Sequence, residues 1–163
     1  MRKLRMMVLM INGSPRHVEA ASNETLLETL RAVGVVEVKS GCEKGDCGAC
    51  AILLDGLAVD SCLTLTWTVG ERTITTVKGM GNEDSPHPLQ AAFSDRGAAQ
   101  CGYCTPGMII AAKSMLDHDT DNPSEDDMRV GLSGNLCRCT GYTKIFDAVK
   151  DAAKVLREER HAK

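Results

Sequence analysis

The sequence predicts an α+β protein in two parts, a small β-rich half followed by an all-helical half, with four cysteines in each. Three observations lead there. Residue patterning turns helical after Gly79–Pro86, a stretch of Gly, Pro and acidic side chains with no periodicity of its own. The 163 residues suffice for two small domains sharing an interface, and we expect them at 1–80 and 81–163. Aromatics make up only 3 %, so Leu, Val, Ile, Met and Ala must form both cores. Cores that thin often need metals or crosslinks, and eight cysteines are available to supply them.

In the first half, Met6–Ile11 reads as a strand, Asn12-Gly13-Ser14-Pro15 as a turn, and Arg16–Ala20 as the returning strand. The apolar run Met6–Ile11 is shorter than the roughly 7–15 residues of a signal-peptide core. The start is therefore expected to be a first strand in a cytoplasmic chain. Ser22 or Asn23 can cap a helix that places Leu26, Leu27, Leu30 and Val33 on one face and closes at Gly34. Ala51–Leu54 and Leu57–Val59 flank Asp55-Gly56, a strong hairpin signal, and Thr73–Val77 gives one more strand. After the boundary, Leu89, Ala92 and Phe93 mark a short helix ending at Gly97, and Pro106–Leu116 a second. A third is capped by Ser124 and runs to about Leu132. The last spans about Thr143 to Arg157, with Ile145, Phe146, Val149, Ala152, Ala153 and Leu156 in one core-facing stripe.

Composition removes several classes of function. A formal charge of −3 offers no basic footprint for nucleic acid, and no stretch approaches the roughly 18 apolar residues of a membrane span. In a reducing compartment, cysteines in this number point to metal ligation rather than disulfides.

The first quartet, Cys42, Cys47, Cys50 and Cys62, has the spacing C-x4-C-x2-C followed by a distant Cys. That is the plant-type ferredoxin signature for a 2Fe–2S cluster. Three thiolates from one loop can reach two bridged irons only if the loop wraps closely, which Gly41, Gly45 and Gly48 permit. Structural zinc is the weaker reading here, because only Cys47 and Cys50 form a zinc-like knuckle. The second quartet, Cys101, Cys104, Cys137 and Cys139, is C-x2-C with a distant C-x-C. By spacing alone, zinc fits it nearly as well as iron and sulfide. Each pair precedes an expected helix, whose free amides and positive dipole end favour an anionic centre. Arg138 adds positive charge nearby, although a solvated or interface arginine would look the same.

Three segments carry a resemblance: Gly41-Cys-Glu-Lys-Gly-Asp-Cys-Gly-Ala-Cys50, Gln100-Cys-Gly-Tyr-Cys-Thr-Pro-Gly107 and Gly134-Asn-Leu-Cys-Arg-Cys-Thr-Gly-Tyr142. Together they resemble the iron–sulfur (small) subunit of the xanthine oxidase family of molybdenum hydroxylases, in order and over nearly the whole chain. The departures are Ser40, Ala51 and Tyr103, the last where Phe is frequent, and none removes a ligand position. The resemblance implies an N-terminal plant-type ferredoxin-like β-grasp domain followed by a four-helix-bundle iron–sulfur domain. It also implies two 2Fe–2S clusters, with the second quartet nearer a molybdopterin and the first nearer a flavin. Gln100 would hydrogen-bond the pterin, and Cys139 would lie against its amino group.

The implied role is electron transfer within an oxidoreductase, with no substrate-converting residue on this chain. Molybdopterin would sit on a large subunit and FAD on a medium subunit, or a cytochrome would replace the flavin. The assembly would be a hetero-oligomer, in its doubled form a dimer of heterotrimers. His17, His87, His118 and His161 stand apart from the cysteines and are expected at the surface or in loops. A free-standing ferredoxin and a zinc-stabilised interaction module are the competing readings.

Overall fold

Asn12 and Gly13 both adopt positive φ, 50° and 76°. They thereby close a tight turn between β1 (Leu4–Ile11) and β2 (Ser14–Ala21), paired antiparallel from Leu4↔Ala21 to Ile11↔Ser14. Asp55 and Gly56 repeat the device, with φ of 51° and 87°, between β3 (Ala51–Leu54) and β4 (Leu57–Asp60). β5 (Thr73–Thr75) then slots between the two hairpins, parallel to β1 and antiparallel to β3. The result, in this computed structural model of residues 4–162, is a sheet of order β2-β1-β5-β3-β4. With it go six α-helices, which makes the fold mixed α+β. Met1–Lys3, at the head of the first expected domain, and Lys163, at the end of the second, lie outside the described residues.

Helix α1 (Leu26–Ala32) starts later than Ser22 or Asn23 would set it. Thr25 is the cap, because Glu28 three residues on completes a reciprocal capping box: Glu28 N–H to Thr25 Oγ1 at 3.3 Å and Thr25 N–H to Glu28 Oε2 at 2.8 Å. The final strand is shorter than Thr73–Val77. At Thr76 the ladder gives way to side chains, since its N–H donates to Asn12 Oδ1 at 2.8 Å and its hydroxyl to Glu37 Oε1 at 2.9 Å. Val77 then opens a short helix α2 (Val77–Met80). The sequence reading also lacked the 3₁₀ turn Thr66–Thr68, whose buried Thr66 hydroxyl pairs with that of Thr29 at 2.7 Å.

The helical half contains α3 (Pro88–Asp95), α4 (Thr105–His118), α5 (Glu125–Gly131) and α6 (Thr143–His161). Their shared core takes Leu89 and Phe93 from α3, Met108 and Leu116 from α4, Met128 from α5, and Ile145 and Val149 from α6. A separate core lies between α1 and one sheet face, built on Leu9, Ile11, Leu26, Leu30, Ile52 and Ile74. β3 joins the two halves. All four of its residues are buried, with Ile52 and Leu54 in the first core and Ala51 and Leu53 against Ile110 of α4. α4 thus covers the sheet's second face near its edge, where Ser114 Oγ also accepts the Ala58 N–H at 3.1 Å. No helix among the described residues is long and apolar enough to cross a membrane.

His87 caps α3, its Nδ1 accepting the Leu89 N–H at 3.2 Å. Burial, reinforced by the nearby Lys113 cation, holds its pKa below the ordinary value; Asp117 and Glu159 oppose this weakly. The neutral ring is therefore favoured in the fold. Below about pH 6.5 the unfolded chain binds the proton first, so stability contributed here falls as the pH drops through that value. We expect His87→Asn, which keeps a cap acceptor but does not titrate, to flatten this part of the pH–stability curve. Parallel curves for both proteins in chemical denaturation between about pH 7.5 and 5.5 would contradict it.

Candidate metal centres

The loop from Gly41 to Cys50 owes its shape to glycines and to its own amides. Glu43, Gly45 and Gly48 take positive φ, which curls the chain so that Cys42, Cys47 and Cys50 face inward. Gly41 does so by close approach instead, since a Cβ there would stand 2.7 Å from Cys47 Sγ. The Cys42 N–H points at Cys47 Sγ (3.4 Å), and the Asp46 N–H donates to Cys42 Sγ at 3.2 Å. Backbone hydrogen bonds, that of Lys44 foremost, take the Cys42 thiol down to about 7. Cys50 and Cys62 lie inside, 3 % and 5 % exposed. They sit side by side because Ser61 Oγ donates to the Cys50 carbonyl at 2.8 Å. Burial, then its exchange with Cys62 and the nearby Asp60 carboxylate, pushes the Cys50 thiol up to about 12.

The second quartet is assembled from two loops. Cys101 and Cys104 lead into α4, with Cys104 at the cap position. Cys137 and Cys139 precede α6, whose cap Tyr142 is left-handed at φ 68°. The Tyr142 hydroxyl accepts the Cys137 N–H at 2.8 Å and donates to the Asn135 carbonyl at 3.0 Å, closing the C-x-C loop on itself. Cys101 and Cys139 are exposed, their sulfurs 3.7 Å apart. Cys104 and Cys137 form an inner pair. Burial raises Cys104 to about 12. Burial works the same way on Cys137, but the hydroxyl and amide of Thr140 outweigh it and take that thiol down to about 7. The Cys139 thiol is raised, chiefly by its contact with Cys101.

In both halves the thiols pair: the Cys101 and Cys139 sulfurs stand 3.7 Å apart, and Cys42 with Cys47, Cys50 with Cys62 and Cys104 with Cys137 interact side chain to side chain. Among the described residues, no three or more Cys, His, Asp or Glu side chains converge on one point. Two thiolates on each of two metals is the donor set of a 2Fe–2S centre, so the residues present fit that group.

The sequence reading missed what holds the two sites together. The Leu136 N–H donates to the Cys47 carbonyl at 3.0 Å, and Asn135 Nδ2 donates to the Gly48 carbonyl at 3.0 Å. Beneath that carbonyl lies Gly107 of α4, where a Cβ would come within 2.2 Å of it. Tyr103, between Cys101 and Cys104, donates its hydroxyl to the Ser40 carbonyl. In the sequence, Asn135 next to the C-x-C motif carries no mark of this role, and its burial emerges only in the fold. Gln100 is exposed next to Cys101, and Arg138 lines the cleft between the cysteine loops. Of the histidines, His17, His118 and His161 are exposed and His87 is the half-buried cap of α3.

Two family models match the chain, one described as 2Fe-2S iron-sulfur cluster binding domain over residues 9–74 and one as [2Fe-2S] binding domain over 76–150. The nicotinate dehydrogenase small FeS subunit of Eubacterium barkeri is 45 % identical over 147 residues, which cover 90 % of this chain and 93 % of that one. The xanthine dehydrogenase iron-sulfur-binding subunit of Escherichia coli O157:H7 is 44 % identical, covering 88 % and 91 %. Among solved structures, the aldehyde oxidoreductase of Desulfovibrio desulfuricans matches with a TM-score of 0.89 and 44 % identity. That match takes in 94 % of this chain but 17 % of that much longer one.

Proposed function

From the premise that this chain belongs to the iron–sulfur (small) subunits of the xanthine oxidase family of molybdenum hydroxylases, we propose that it carries electrons within such an oxidoreductase on two 2Fe–2S clusters. Cys42, Cys47, Cys50 and Cys62 would hold one. Cys101, Cys104, Cys137 and Cys139 would hold the other, within a four-helix bundle formed by α3 to α6, with the domain division at 80/81. When bound, such centres supply one-electron exchange at potentials set by hydrogen bonds and solvent exposure.

The observation that carries the reading is the pairing of sulfurs. Two thiolates on one tetrahedral metal, with bonds of about 2.3 Å, stand about 3.8 Å apart. The Cys101 and Cys139 sulfurs are 3.7 Å apart. A single zinc would instead draw all four together.

The chain's own residues then do three things. Amide and hydroxyl donors on the sulfurs of Cys42 and Cys137 stabilise thiolate charge. Gly41, Gly48 and Gly107 leave out the Cβ atoms that would push the loops apart. The Cys47 carbonyl and Leu136 amide place the two ligand-bearing backbones one hydrogen bond apart.

Exposure supports a direction. Gln100, Cys101 and Cys139 face outward, as suits a side docked on a large subunit, with Gln100 hydrogen-bonding its molybdopterin and Cys139 against the pterin's amino group. Electrons would leave by the first quartet toward an FAD-binding medium subunit or a cytochrome. The matching stretch of the aldehyde oxidoreductase, part of one long chain, agrees with work beside a larger partner. We place the assembly in the cytoplasm, as a dimer of heterotrimers.

Purification from the native source, with iron and acid-labile sulfide analysis, tests this. The expected result is about four irons and four sulfides per chain, in a complex with the two larger subunits. A colourless chain holding zinc, or one that emerges alone and monomeric, would overturn it.

A further inference from the structure

We propose that Tyr103 is a positioning residue for electron exchange between the two halves: its phenol ties the cysteine loops together and its ring covers the cleft between them. This rests on the two-cluster reading above. Tyr103 lies between Cys101 and Cys104, and its hydroxyl reaches across the domain boundary to the carbonyl of Ser40, two residues before Cys42. Its ring lines a cleft of about 260 Å³, with Cys42 and Cys47 on one side and Cys101, Cys104 and Leu136 on the other. Tyr103 is 48 % exposed, so about half of it meets solvent while the residue also lines the cleft shared with the cysteines.

What gives this contact its weight is where the other ties attach. Leu136 and Asn135 hold the first loop at Cys47 and Gly48. Both attach at the same end, while the other flank is held only from within its own half, by Arg31 Nη1 on the Val38 carbonyl at 2.8 Å and by the buried Val38 side chain. The far end, from Ser40 to Gly45, contains two left-handed residues, Glu43 and Gly45. A non-glycine residue in that conformation persists only where its surroundings over-determine it. The local bond from the Ser40 hydroxyl to Glu43 stays within this segment and ties it to nothing else. Tyr103 supplies a tie from the second half, from the loop that carries two thiols of the second quartet. A phenol suits the task, with an apolar body for the cleft and a polar tip for the carbonyl.

Two variants of the full-length, iron-loaded chain separate the tie from the cover. Tyr103→Phe keeps the ring and loses the hydrogen bond; Tyr103→Ala loses both. With Tyr103→Phe, iron and sulfide are expected at the wild-type amount, while amides 41–46 exchange hydrogen about fivefold faster, the factor one net hydrogen bond is worth. The magnetic interaction between the two reduced centres, read as splitting in electron paramagnetic resonance, is expected to weaken as their separation becomes variable. Tyr103→Ala is expected to weaken it further and to lose iron faster to a chelator. Wild-type exchange rates and splitting in both variants, at full iron, would overturn the role of Tyr103 alone. A wild-type chain with a single iron–sulfur signal would overturn the two-cluster reading, and the inference with it.

Discussion

Gly48→Ala is expected to destabilise the chain by about 3 kcal/mol and to loosen both cysteine loops at once. Gly48 has φ of 65°, where a side chain costs about 1–2 kcal/mol. An added Cβ would stand 2.4 Å from Asn135 Nδ2 and 2.5 Å from the Gly134 carbonyl, the second of these being backbone. Relief requires the C-x-C loop to withdraw, which breaks the buried bond from Asn135 to the Gly48 carbonyl. Losing such a partner costs about 1–3 kcal/mol. Gly134→Ala is the control, because a Cβ there meets nothing within 4 Å; its cost should stay near the ±0.5 kcal/mol of an ordinary surface change. Denaturant unfolding of the two variants beside wild type decides the matter, and equal midpoints for Gly48→Ala and Gly134→Ala would refute it.

That prediction draws on contacts invisible in the sequence, and the reason is physical. Local chemistry was legible. Asn12-Gly13 and Asp55-Gly56 announce hairpins because positive φ at both turn residues is a strong local demand. The α6 stripe follows from helical period alone, and Ile145, Val149, Ala152 and Ala153 are buried as it requires. The C-x4-C-x2-C run points to the chemistry of the matching domain family, because three ligands from one loop would constrain the spacing. Where several local signals competed, the pattern misled. Ser22, Asn23 and Thr25 are all good caps, and only the reciprocal Glu28 bond selects Thr25. Strand β5 stops at Thr75 because Asn12 and Glu37, distant in sequence, claim Thr76.

The same distinction governs the two quartets. Bonds from Leu136, Asn135 and Tyr103 to Cys47, Gly48 and Ser40 join residues 63 to 89 positions apart, as the hydrogen bonds themselves record. Periodicity carries no information at that range. β3 gave a partial hint. A continuous apolar run, Ala51-Ile-Leu-Leu54, is too apolar for a strand with one wet face. Its second face needed a cover, and α4 is that cover.

The largest functional effect is expected from Cys104→Ser. Cys104 belongs to the inner pair with Cys137 and occupies the cap of α4, so the change keeps the shape of the site and replaces soft sulfur with hard oxygen. Iron and sulfide should fall by half. The absorption and paramagnetic signals of the helical-half centre should vanish while those of the sheet-half centre remain, because Cys50 and Cys62 are packed in a separate core and Cys42 and Cys47 lie on the loop that leads into it. In the native complex, electron delivery from large to medium subunit should drop at least about 100-fold. Loss of an outer-shell partner alone reaches that figure, and in the proposed two-cluster relay the change would remove a ligand outright. Cys62→Ser should give the mirror result, keeping the helical-half signals and losing the others. Wild-type iron in Cys104→Ser would show that this sulfur is not a ligand. Loss of both centres in each variant would show that the halves do not load independently, and that the contacts between their loops govern cluster retention as well as cluster spacing.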